Sequence, residues 1–372
     1  MRPMPTSKRG RAPGAPVRVA LDTNCLYTTR AGTARYMQGL LSGFRLLGNE
    51  APVIIPLAWP VDNFGFRQPA RALKTAYREL IWCRTRAYAE MIATECHLLH
   101  SATHFDFRVP DGVSRVHTLY DLAVLRHPGK YRVWHRRASL RFVARLPQMD
   151  KIICISQFTA DEAMSLLSIS PDRLEVVYCG SDLAETSDSS AGALELPPLP
   201  DDYFLFVGSL EPGKNLALLK DVYQLAASSG VSLPPLLIAG VRWTGVEDEG
   251  AAPKEWIYLG RVSDNALAAL YRQATALVFP SKYEGFGLPV LEAMSFGCPV
   301  ISSASGSLPE VGGAAVCYSD LNALAFLKAM QGLLKETARR EEMKAEGLAR
   351  SRLFSWRRCA AETAAVYQSV LR

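Results

Sequence analysis

The sequence predicts an α/β protein made of two doubly wound, Rossmann-like parallel-sheet domains. Short apolar runs typical of buried strands alternate with amphipathic helical patterns, which is the order found in parallel sheets with helical crossovers. A segment rich in Ser, Asp, Gly and Pro interrupts this alternation at residues 185–200, after which the alternation starts again. The length of 372 residues is also too great for one ordinary core.

The first domain is expected to span residues 17–184, after a flexible basic tail at residues 1–16. Its opening strand is predicted at residues 17–22. A helix follows over residues 33–47, where apolar residues recur at helical spacing. A long arginine-bearing helical stretch ends near residue 95, and a further helix covers residues 157–167 with Ser156 or Thr159 as its cap. The remaining strands are predicted at residues 51–58, 115–124, 151–156 and 174–180.

The second domain is expected over residues 201–354, after a linker at residues 185–200 and before a closing helical segment at residues 355–372. Strands and helices alternate in it as they do in the first domain. The predicted strands are residues 203–209, 234–240, 256–260, 276–280 and 299–303. The predicted helices are residues 215–228, 265–274 and 289–297. In such sheets, ligands bind beyond the carboxyl ends of the strands.

The composition, 49% apolar and 21% charged, is that of a folded soluble protein without a membrane span or a signal-type hydrophobic segment, so we expect a cytoplasmic location. None of the eight cysteines forms a CxxC pair. The spacing of His97, His100 and His104 resembles that of metal ligands, but no carboxylate or cysteine pattern completes the set. We therefore predict no metal site and no cofactor.

The charge is unevenly distributed along the chain. Residues 1–180 carry 25 Lys/Arg against 14 Asp/Glu, whereas residues 181–372 carry 17 against 22. A basic first half suggests an anionic partner such as a phospholipid surface or a phosphorylated carrier, and the alternative is a solvated basic face. Nucleic acid is not expected as a partner, because the arginines are not interleaved with aromatic residues in a recognisable reader motif.

The segment YEGFGLPVLEAM, residues 283–294, places two glutamates around a glycine turn that leads into a helix. Gly285 and Gly287 permit positive φ and close approach to a ligand, and Pro289 suits the first helical position. The amides of residues 286–290 would then face a phosphate at the positive end of the helix. Glu284 and Glu292 would bind hydroxyls, one of a sugar and one of a ribose; the alternative is a loop with two solvated glutamates.

A second phosphate-binding element is predicted in LFVGSLEPGKNL, residues 205–216. The strand ends at Gly208 and Ser209, and Lys214 precedes a helix that begins near Asn215, a favourable N-cap residue. The Lys214 ammonium would face a diphosphate, although a surface lysine beside a cap is the alternative. In the first half, Gly32 and Thr33 follow the first strand as a weaker anion-loop signal.

These segments together resemble the family 4 retaining glycosyltransferases, whose two-domain fold is called GT-B. The resemblance runs from about residue 17 onward and is carried by FVGSLEPGKNL, by residues 257–313 and by FSWRRCAAETAAVY, with looser matches in AGTARY, HTLYDLAVLRHP and DKIICISQFTADE. Glu284 and Glu292 supply the E-x7-E signature of the family. The resemblance implies transfer of a sugar from a nucleoside diphosphate, as a GDP-sugar or a UDP-sugar, to a saccharide or lipid-linked acceptor.

The resemblance also implies roles for individual residues. Glu284 would contact the transferred sugar, Glu292 would hold the nucleotide ribose, and Lys214 would neutralise the leaving diphosphate. The closing helix would return to the first domain. The amides that meet the phosphates or the sugar would be those of Gly285, Phe286, Gly287 and Leu288. The residues beside the base would be Arg261 and Val262.

The chain departs from the family pattern at three positions. Gly213 stands where relatives often carry an arginine, and Tyr120, before Asp121, stands where they often carry a histidine near the donor sugar. Ala34 replaces the second glycine of the GxG entry loop.

No Asp-x-Asp pair occurs in the sequence, so we expect Lys214 and the helix dipole to act in place of a metal. The expected setting is surface polysaccharide assembly, peripheral to the inner membrane face. The alternatives are a sugar-nucleotide epimerase, a catalytically weak or inactive nucleotide-sugar-binding subunit, and a nucleic-acid binder.

Overall fold

The computed structural model describes residues 15–29, 32–60, 69–128, 133–181, 183, 188–242 and 250–372. These residues form two compact units. The first unit comprises the chain up to Gly180 together with Trp356–Arg372, and the second unit comprises Ser181–Ser355. Each unit contains a parallel six-stranded sheet within the described residues, which confirms the predicted fold class. Most of the predicted basic tail lies outside the described residues.

The sheet of the first unit has the strand order β2-β1-β3-β4-β5-β6. Its interior strands are almost entirely buried, as expected for a parallel sheet covered on both faces. The direction of strand order reverses between β1 and β3. The strands are β1 Arg18–Asp22, β2 Val53–Leu57, β3 Leu98–Ser101, β4 Ser114–Leu119, β5 Lys151–Cys154 and β6 Leu174–Val176. The helices before the domain boundary are α1 Cys25–Thr28, α2 Gly32–Leu47, α3 Pro69–Leu80, α4 Arg86–Ala93, α5 Ala123–Arg126, α6 Val133–Val143 and α7 Gln157–Leu167.

The sheet of the second unit has the order β12-β11-β10-β7-β8-β9, so its strand order reverses between β7 and β10. Its apolar core lies mainly between β7, β8, β10 and the helices that cover them. The strands are β7 Phe204–Val207, β8 Leu236–Ala239, β9 Trp256–Gly260, β10 Ala276–Phe279, β11 Val300–Ser302 and β12 Cys317–Tyr318. The helices are α8 Ser189–Leu194, α9 Leu216–Ser228, α10 Asp264–Gln273, α11 Leu288–Ser295, α12 Leu308–Gly312, α13 Ala323–Lys335 and α14 Thr337–Ser351.

The closing helix α15, Trp356–Val370, packs on α2 in the first unit. The two helices approach closely because α2 presents glycines: a Cβ on Gly39 would lie 2.0 Å from the Trp356 ring, and one on Gly43 would lie 2.1 Å from the Trp356 carbonyl oxygen. Tyr367 of α15 also hydrogen-bonds to Nδ1 of the buried His100 at 2.6 Å. The chain after residue 355 is therefore integral to the first unit.

Three sequence predictions differ from the structure in the first unit. The stretch expected to be helical up to residue 95 is interrupted by a 3₁₀ turn at Trp82–Arg84, where Trp82 and Cys83 enter the core. The strand expected at residues 115–124 ends at Leu119, because Asp121 Oδ1 accepts the Ala123 amide at 2.9 Å and starts α5. Strand β3 was not predicted, since its histidine obscures a buried apolar run.

The predicted linker, residues 185–200, contains helix α8, which packs on α10 of the second unit. Asp188 donates its amide to Asn265 Oδ1 at 3.0 Å, and Ser263 donates its hydroxyl to Glu195 Oε2 at 2.5 Å. These contacts attach the described part of the predicted linker segment to the second unit. Among the described residues, no helix has both the length and the apolar composition needed to cross a bilayer.

Candidate active site

The predicted binding residues of the second unit follow strands β7 and β10 at the carboxyl edge of the sheet. These strands are hydrogen-bonded neighbours, and the strand order reverses between them. Such a topological switch point is where open α/β sheets bind ligands, because the loops on either side diverge and leave a crevice. Lys214 lies in the loop after β7, and Glu284 lies in the loop after β10.

Lys214 Nζ and Glu284 Oε1 form an ion pair in this crevice. Their side chains are only 18% and 10% exposed, so their attraction is less screened than it would be at a surface. Ser281 donates its hydroxyl to the same glutamate oxygen, and the lysine ammonium lies 5.2 Å from the centre of the Phe279 ring. A cation and a carboxylate are thus held at one point by two adjacent strands.

Gly213 fixes the lysine loop to the glutamate loop. Its carbonyl oxygen accepts the Lys282 amide at 2.8 Å, and its own amide donates to Glu211 Oε2 at 2.7 Å. The buried Glu211 carboxylate caps the 3₁₀ turn that presents Lys214. Asn215 precedes α9 as predicted, but it has a left-handed φ of 58° and its side chain makes no capping hydrogen bond.

The loop after β11 supports the backbone of Glu284. Ser307 donates both its amide and its hydroxyl to the Glu284 carbonyl oxygen, each at 3.1 Å. Gly306 has a left-handed φ of 63°, and a Cβ there would lie 2.4 Å from that same oxygen. A glycine is therefore required where these two loops meet.

The entry to helix α11 differs in detail from the sequence prediction. The helix begins at Leu288, so Pro289 is its second residue. Gly287 has a positive φ of 97°, as expected, whereas Gly285 is not among the described glycines with positive φ. The Val290 amide donates to the Gly287 carbonyl oxygen at 2.9 Å and is not available to a ligand, contrary to our prediction. The amides of Gly287 and Leu288 remain at the positive end of the helix dipole.

Glu292 is buried in α11, with an exposed fraction of 4%. Its Oε2 accepts a hydrogen bond from the Tyr271 hydroxyl at 3.2 Å. The Tyr271 ring stacks on Phe296, with ring centres 5.7 Å apart, which fixes the donor. Tyr271 of α10 therefore holds the Glu292 carboxylate, which is buried. The alternative prediction of two solvated glutamates does not describe it. Its predicted contact with a ribose stays a prediction.

The other predicted nucleotide-side residues follow neighbouring strands. Gly208 and the half-buried Ser209 follow β7, and a Cβ on Gly208 would lie 3.8 Å from Lys214 Cε. Gly208 itself packs against Gly240, where a Cβ would lie 1.8 Å from the Gly208 carbonyl oxygen. Arg261 is exposed and Val262 is half-buried after β9, two strands from β7. All lie at the same sheet edge, but Arg261 and Val262 are the more distant by strand order. The contacts predicted for Phe286 also stay predictions.

The predicted residues of the first unit lie after β1 and β4. Gly32 begins α2 and is exposed, and the half-buried Thr33 follows it. The Tyr120 ring packs edge-on against Tyr36, with ring centres 5.3 Å apart, and its buried hydroxyl has no hydrogen-bond partner. Asp121 caps α5 through its carboxylate, as described above.

The three histidines with metal-like spacing have separate structural contacts. His97 Nδ1 accepts the Arg18 amide at 3.0 Å, and His104 packs against the Phe142 ring. His100 is fully buried between Tyr367 and Thr118, and this burial lowers its pKa to about 3. Among the described residues, no group of three or more His, Cys, Asp or Glu side chains is arranged to hold a metal ion.

Sequence reasoning missed several supporting residues. Ser281 donates to Glu284, and its hydroxyl lies 3.4 Å from the carbonyl oxygen of Gly213, the residue before Lys214. Ser303 donates to the Ser281 carbonyl oxygen at 2.5 Å, and Tyr271 holds Glu292. Ser281 lies three residues before Glu284 in the signature loop, which was an available signal. Tyr271 and Ser303 lie in other elements, and no local pattern identifies them.

Comparison with known proteins decides the family. The chain is 34% identical over 286 residues to the O-antigen chain mannosyltransferase B of Escherichia coli, which covers 71% of this chain and 72% of that protein. The family described as Glycosyl transferases group 1 matches residues 195–350, and the one described as Glycosyltransferase Family 4 matches residues 30–185. The chain belongs to the family 4 glycosyltransferases. It is therefore a sugar-transferring enzyme.

Two further relatives are less similar in sequence. The serotype-specific mannosyltransferase WbdA of Escherichia coli is 31% identical over 228 residues, which is 58% of this chain but 28% of that protein. A D-inositol 3-phosphate glycosyltransferase of Nocardioides is 26% identical, with 69% and 62% of the two chains covered.

Solved structures establish the GT-B fold. The sucrose-phosphate synthase of Thermosynechococcus elongatus superimposes with a TM-score of 0.71 at 20% identity, covering 95% of this chain and 98% of that one. HepE of Anabaena, solved with UDP-glucose, gives a TM-score of 0.67 at 16% identity, covering 95% and 99%. Both likenesses concern the fold alone. In this family 4 glycosyltransferase, Gly213 lies in a loop that hydrogen bonds attach to the Lys282 amide and to the Glu211 carboxylate. Tyr120, the other departure from the family pattern, packs against the ring of Tyr36.

Proposed function

We propose that this glycosyltransferase moves a mannosyl residue from a nucleoside diphosphate sugar to a hydroxyl of a growing polysaccharide or lipid-linked saccharide, with retention at the anomeric carbon and without a metal or other cofactor. The mannosyl group and the polysaccharide acceptor are supported by relatives named as O-antigen and serotype-specific mannosyltransferases. A nucleotide-sugar donor is supported by the UDP-glucose complex of a protein of the same fold.

The observation that carries this proposal is the buried pair of Lys214 and Glu284 at the switch point between β7 and β10. A diphosphate entering the crevice would compete with the carboxylate for the lysine ammonium. Glu284 would then exchange the ammonium for sugar hydroxyls, while Ser281 keeps its carboxylate oriented. One pair thus provides a cation for the leaving group and an acceptor for the sugar.

The reaction separates charge, since an oxocarbenium-like sugar forms as the diphosphate leaves. A fixed positive potential lowers this barrier most when it is directed at the departing oxygens before the reaction begins. Lys214 and the amides of Gly287 and Leu288 would supply it. Glu292, held by Tyr271, would accept hydrogen bonds from the ribose hydroxyls. Tyr120 in the first unit would contact the donor sugar or acceptor in place of the histidine of other relatives.

The test begins with a thermal-shift screen of nucleotide sugars, because a ligand that binds only the folded state raises Tm. We expect GDP-mannose to give the largest shift and UDP-sugars to give smaller ones. The hit is then assayed for transfer to a mannose-containing oligosaccharide, with product configuration read by NMR. Binding without transfer across an acceptor panel would leave a binding subunit, and product formation without an acceptor would indicate an epimerase.

Metal independence is tested in the same transfer assay. Turnover should be unchanged by EDTA and by added Mg²⁺ or Mn²⁺, because no metal is needed to neutralise the diphosphate. Loss of turnover in EDTA that is restored by a divalent cation would contradict this part of the proposal while leaving the transferase activity intact.

A peripheral association with the inner membrane face is proposed from the basic first unit. Helix α6 carries the exposed residues Arg136, Arg137 and Arg141, which an anionic lipid surface would attract. Co-sedimentation with phosphatidylglycerol vesicles should exceed that with phosphatidylcholine vesicles and should fall as salt rises. Equal sedimentation with both lipids at all salt concentrations would contradict it.

A further inference from the structure

Arg78, on α3 of the first unit, is a buried cation with unsatisfied hydrogen-bonding capacity. It is 3% exposed, and its Nε and Nη1 atoms are buried without a hydrogen-bond partner in the part of the chain that the structure describes. Its contact with a carboxylate is weak, because Nη2 lies 3.8 Å from Glu79 Oε1 and the Glu79 side chain is 45% exposed. Arginine normally keeps its charged end in water or in a bidentate ion pair, and Arg78 does neither.

Two further buried hydrogen-bond donors belong to Thr75 and Trp59. Thr75 lies on α3 with Arg78, and Trp59 packs against the same apolar cluster as Phe105. Thr75 precedes Arg78 by three residues on α3, and its buried hydroxyl has no partner. The indole Nε1 of Trp59 is likewise buried and unpaired, and the Trp59 ring lies 5.0 Å from that of Tyr77. Four of the eight such unpaired buried atoms among the described residues therefore belong to Trp59, Thr75 and Arg78. All four can donate a hydrogen bond.

The position of Arg78 is that of a ligand site in a parallel sheet. Its guanidinium carbon lies 4.8 Å from the centre of the Phe105 ring, and Phe105 follows β3. Trp59 follows β2, and the Trp59 amide donates to Asn24 Oδ1, after β1, at 2.9 Å. The guanidinium is thus at the carboxyl edge near β1 and β3, where the strand order of this sheet reverses.

Among the described residues, the carboxylates that act on the charge of Arg78 are those of Glu79 and Asp22. Asp22 is close enough to interact with the charge of Arg78, but its oxygens already accept from the Asn24 amide and side chain, the Ala102 amide and the Thr103 hydroxyl. Burial lowers the pKa of Arg78, which means that its charged form is disfavoured by the surroundings. A buried cation of this kind is destabilising unless an anion completes it.

We propose that Arg78, with Thr75 and Trp59, forms an anion-binding subsite in the first unit that takes a phosphate group of the acceptor substrate. The proposal builds on the proposed transfer to a saccharide acceptor and specifies a chemical class for that acceptor. A phosphate has acceptor oxygens for the unpaired Nε and Nη1 atoms and for the neighbouring hydroxyl. Nη2, which lies 3.8 Å from Glu79 Oε1, would complete a fork with either of them. The Phe105 ring would hold the guanidinium plane in place.

The test measures inorganic phosphate binding by calorimetry in a Lys214→Ala background, which removes the cation of the candidate donor site. We expect phosphate to bind this variant. Adding Arg78→Met should weaken that binding about tenfold or more, because charge-assisted hydrogen bonds are lost. Adding Arg84→Met is the matched control, since Arg84 is 52% exposed and already paired with Asp106, and it should leave phosphate affinity unchanged.

The stability of the unliganded protein distinguishes a binding residue from a structural one. Because the buried charge makes only the weak contact with Glu79 among the described residues, Arg78→Met should raise Tm by about 2 °C in phosphate-free buffer. A structural arginine would give a lower Tm instead. Thr75→Val, which keeps the side-chain shape, should reduce phosphate affinity less than Arg78→Met does. A lower Tm for Arg78→Met, or equal phosphate affinity with and without Arg78, would overturn the proposal.

A vesicle experiment distinguishes a soluble phosphorylated acceptor from a lipid-linked one. If the phosphate belongs to a lipid, Arg78→Met should reduce sedimentation with phosphatidic acid vesicles, and free phosphate should compete in the unmodified protein. If it belongs to a soluble acceptor, vesicle binding should be the same with and without Arg78 while calorimetry still shows the loss. These phosphate measurements need no sugar transfer, so a failed transferase assay and a failed subsite are distinguishable.

Discussion

The two units use the same sheet edge in different ways. In the second unit, the charged groups at the switch point satisfy one another, since Lys214 and Ser281 both bind the same oxygen of Glu284. In the first unit, the corresponding edge holds Arg78 and Tyr120 with buried polar atoms that have no hydrogen-bond partner. The polar groups at the edge of the second unit are paired with one another. Those at the edge of the first unit include buried atoms to which a ligand would supply hydrogen-bond partners.

This difference fits a division of labour within a glycosyltransferase. A nucleoside diphosphate would need the same cation and the same amides whatever sugar it carries. A site in the second unit that already holds Lys214 beside Glu284 would therefore need only the exchange of this pair for ligand groups. The first unit, which we propose as the acceptor side, has buried donors at Arg78 and Tyr120 that are unpaired among the described residues. These donors would reject a ligand lacking the matching acceptors, because leaving buried donors unpaired is costly. The first unit is therefore where we expect specificity to reside.

The largest effect should come from breaking the ion pair between Lys214 and Glu284. Lys214→Ala removes the cation that faces the leaving diphosphate, and we expect a loss of about 2–4 kcal/mol in transition-state stabilisation. The measurement is kcat/KM for the nucleotide sugar. Lys328→Ala, which removes an exposed lysine on α13 of the same unit, is the control and should leave kcat/KM unchanged. An unaltered kcat/KM for Lys214→Ala would make this lysine a structural residue.

A second prediction concerns the support of Glu284 by the loop after β11. Gly306→Ala forces a Cβ against the Glu284 carbonyl oxygen, whereas Gly230→Ala places a Cβ at a similar φ of 67° with nothing within 4 Å. Both positions have a left-handed φ, so both variants carry backbone strain and their difference reports mainly the clash. We expect Gly306→Ala to cost about 1–3 kcal/mol more in the free energy of unfolding and to raise KM for the donor. Equal stability and KM for the pair would show that the loop yields without moving Glu284.

Much of the second unit could be predicted from its sequence because the relevant signals are local. The β7 and β10 strands are apolar runs, and the glycine turn, Lys214 and Glu284 follow them within a few residues. The contacts that hold these groups are not local. Ser307 and Tyr271 come from other elements, and the unavailability of the Val290 amide depends on how the Gly287 turn closes.

The first unit was harder to predict because its functional groups are dispersed. Strand β3 contains a buried histidine, His100. The sequence of this strand therefore resembled a polar segment with histidines at metal-ligand spacing. Arg78 lies in an arginine-bearing helical stretch, where sequence alone cannot tell a buried arginine from a solvated one. Its environment depends on Trp59 and Phe105, which are distant in the chain.

Acid should weaken the first unit before the second. Burial lowers the pKa of His100 to about 3, and burial also lowers that of His117, whereas the second unit contains no histidine. The unfolded chain takes up a proton on His100 as the pH falls below about 6.5, but the folded unit does not until about pH 3. Stability contributed by neutral His100 is therefore present above about pH 6.5 and is lost progressively below it, by about 1.4 kcal/mol per pH unit.

Hydrogen exchange read by mass spectrometry between pH 7 and pH 5 resolves the two units. After correction for the intrinsic pH dependence of exchange, protection should fall more steeply in residues 98–119 than in residues 204–239. His100→Gln should reduce this slope, and His127→Gln, at an exposed position, should leave it unchanged. Equal slopes in both units, with and without His100, would contradict the assignment.

The smallest stability effect is expected at Tyr120. Its hydroxyl is buried without a partner, so Tyr120→Phe removes a desolvated polar atom while keeping the edge-on contact with Tyr36. We expect the free energy of unfolding to change by less than about 1 kcal/mol, and toward greater stability, since no hydrogen bond is lost.

If the hydroxyl binds the donor sugar or the acceptor, kcat/KM should fall about tenfold in the same variant, because the ligand loses a hydrogen bond in a buried site. Tyr77→Phe, on α3 of the same unit, is the matched removal of a tyrosine hydroxyl and should leave kcat/KM unaltered. Stabilisation together with reduced turnover would mark Tyr120 as a group kept for its ligand, and a destabilised Tyr120→Phe protein would place its role in folding.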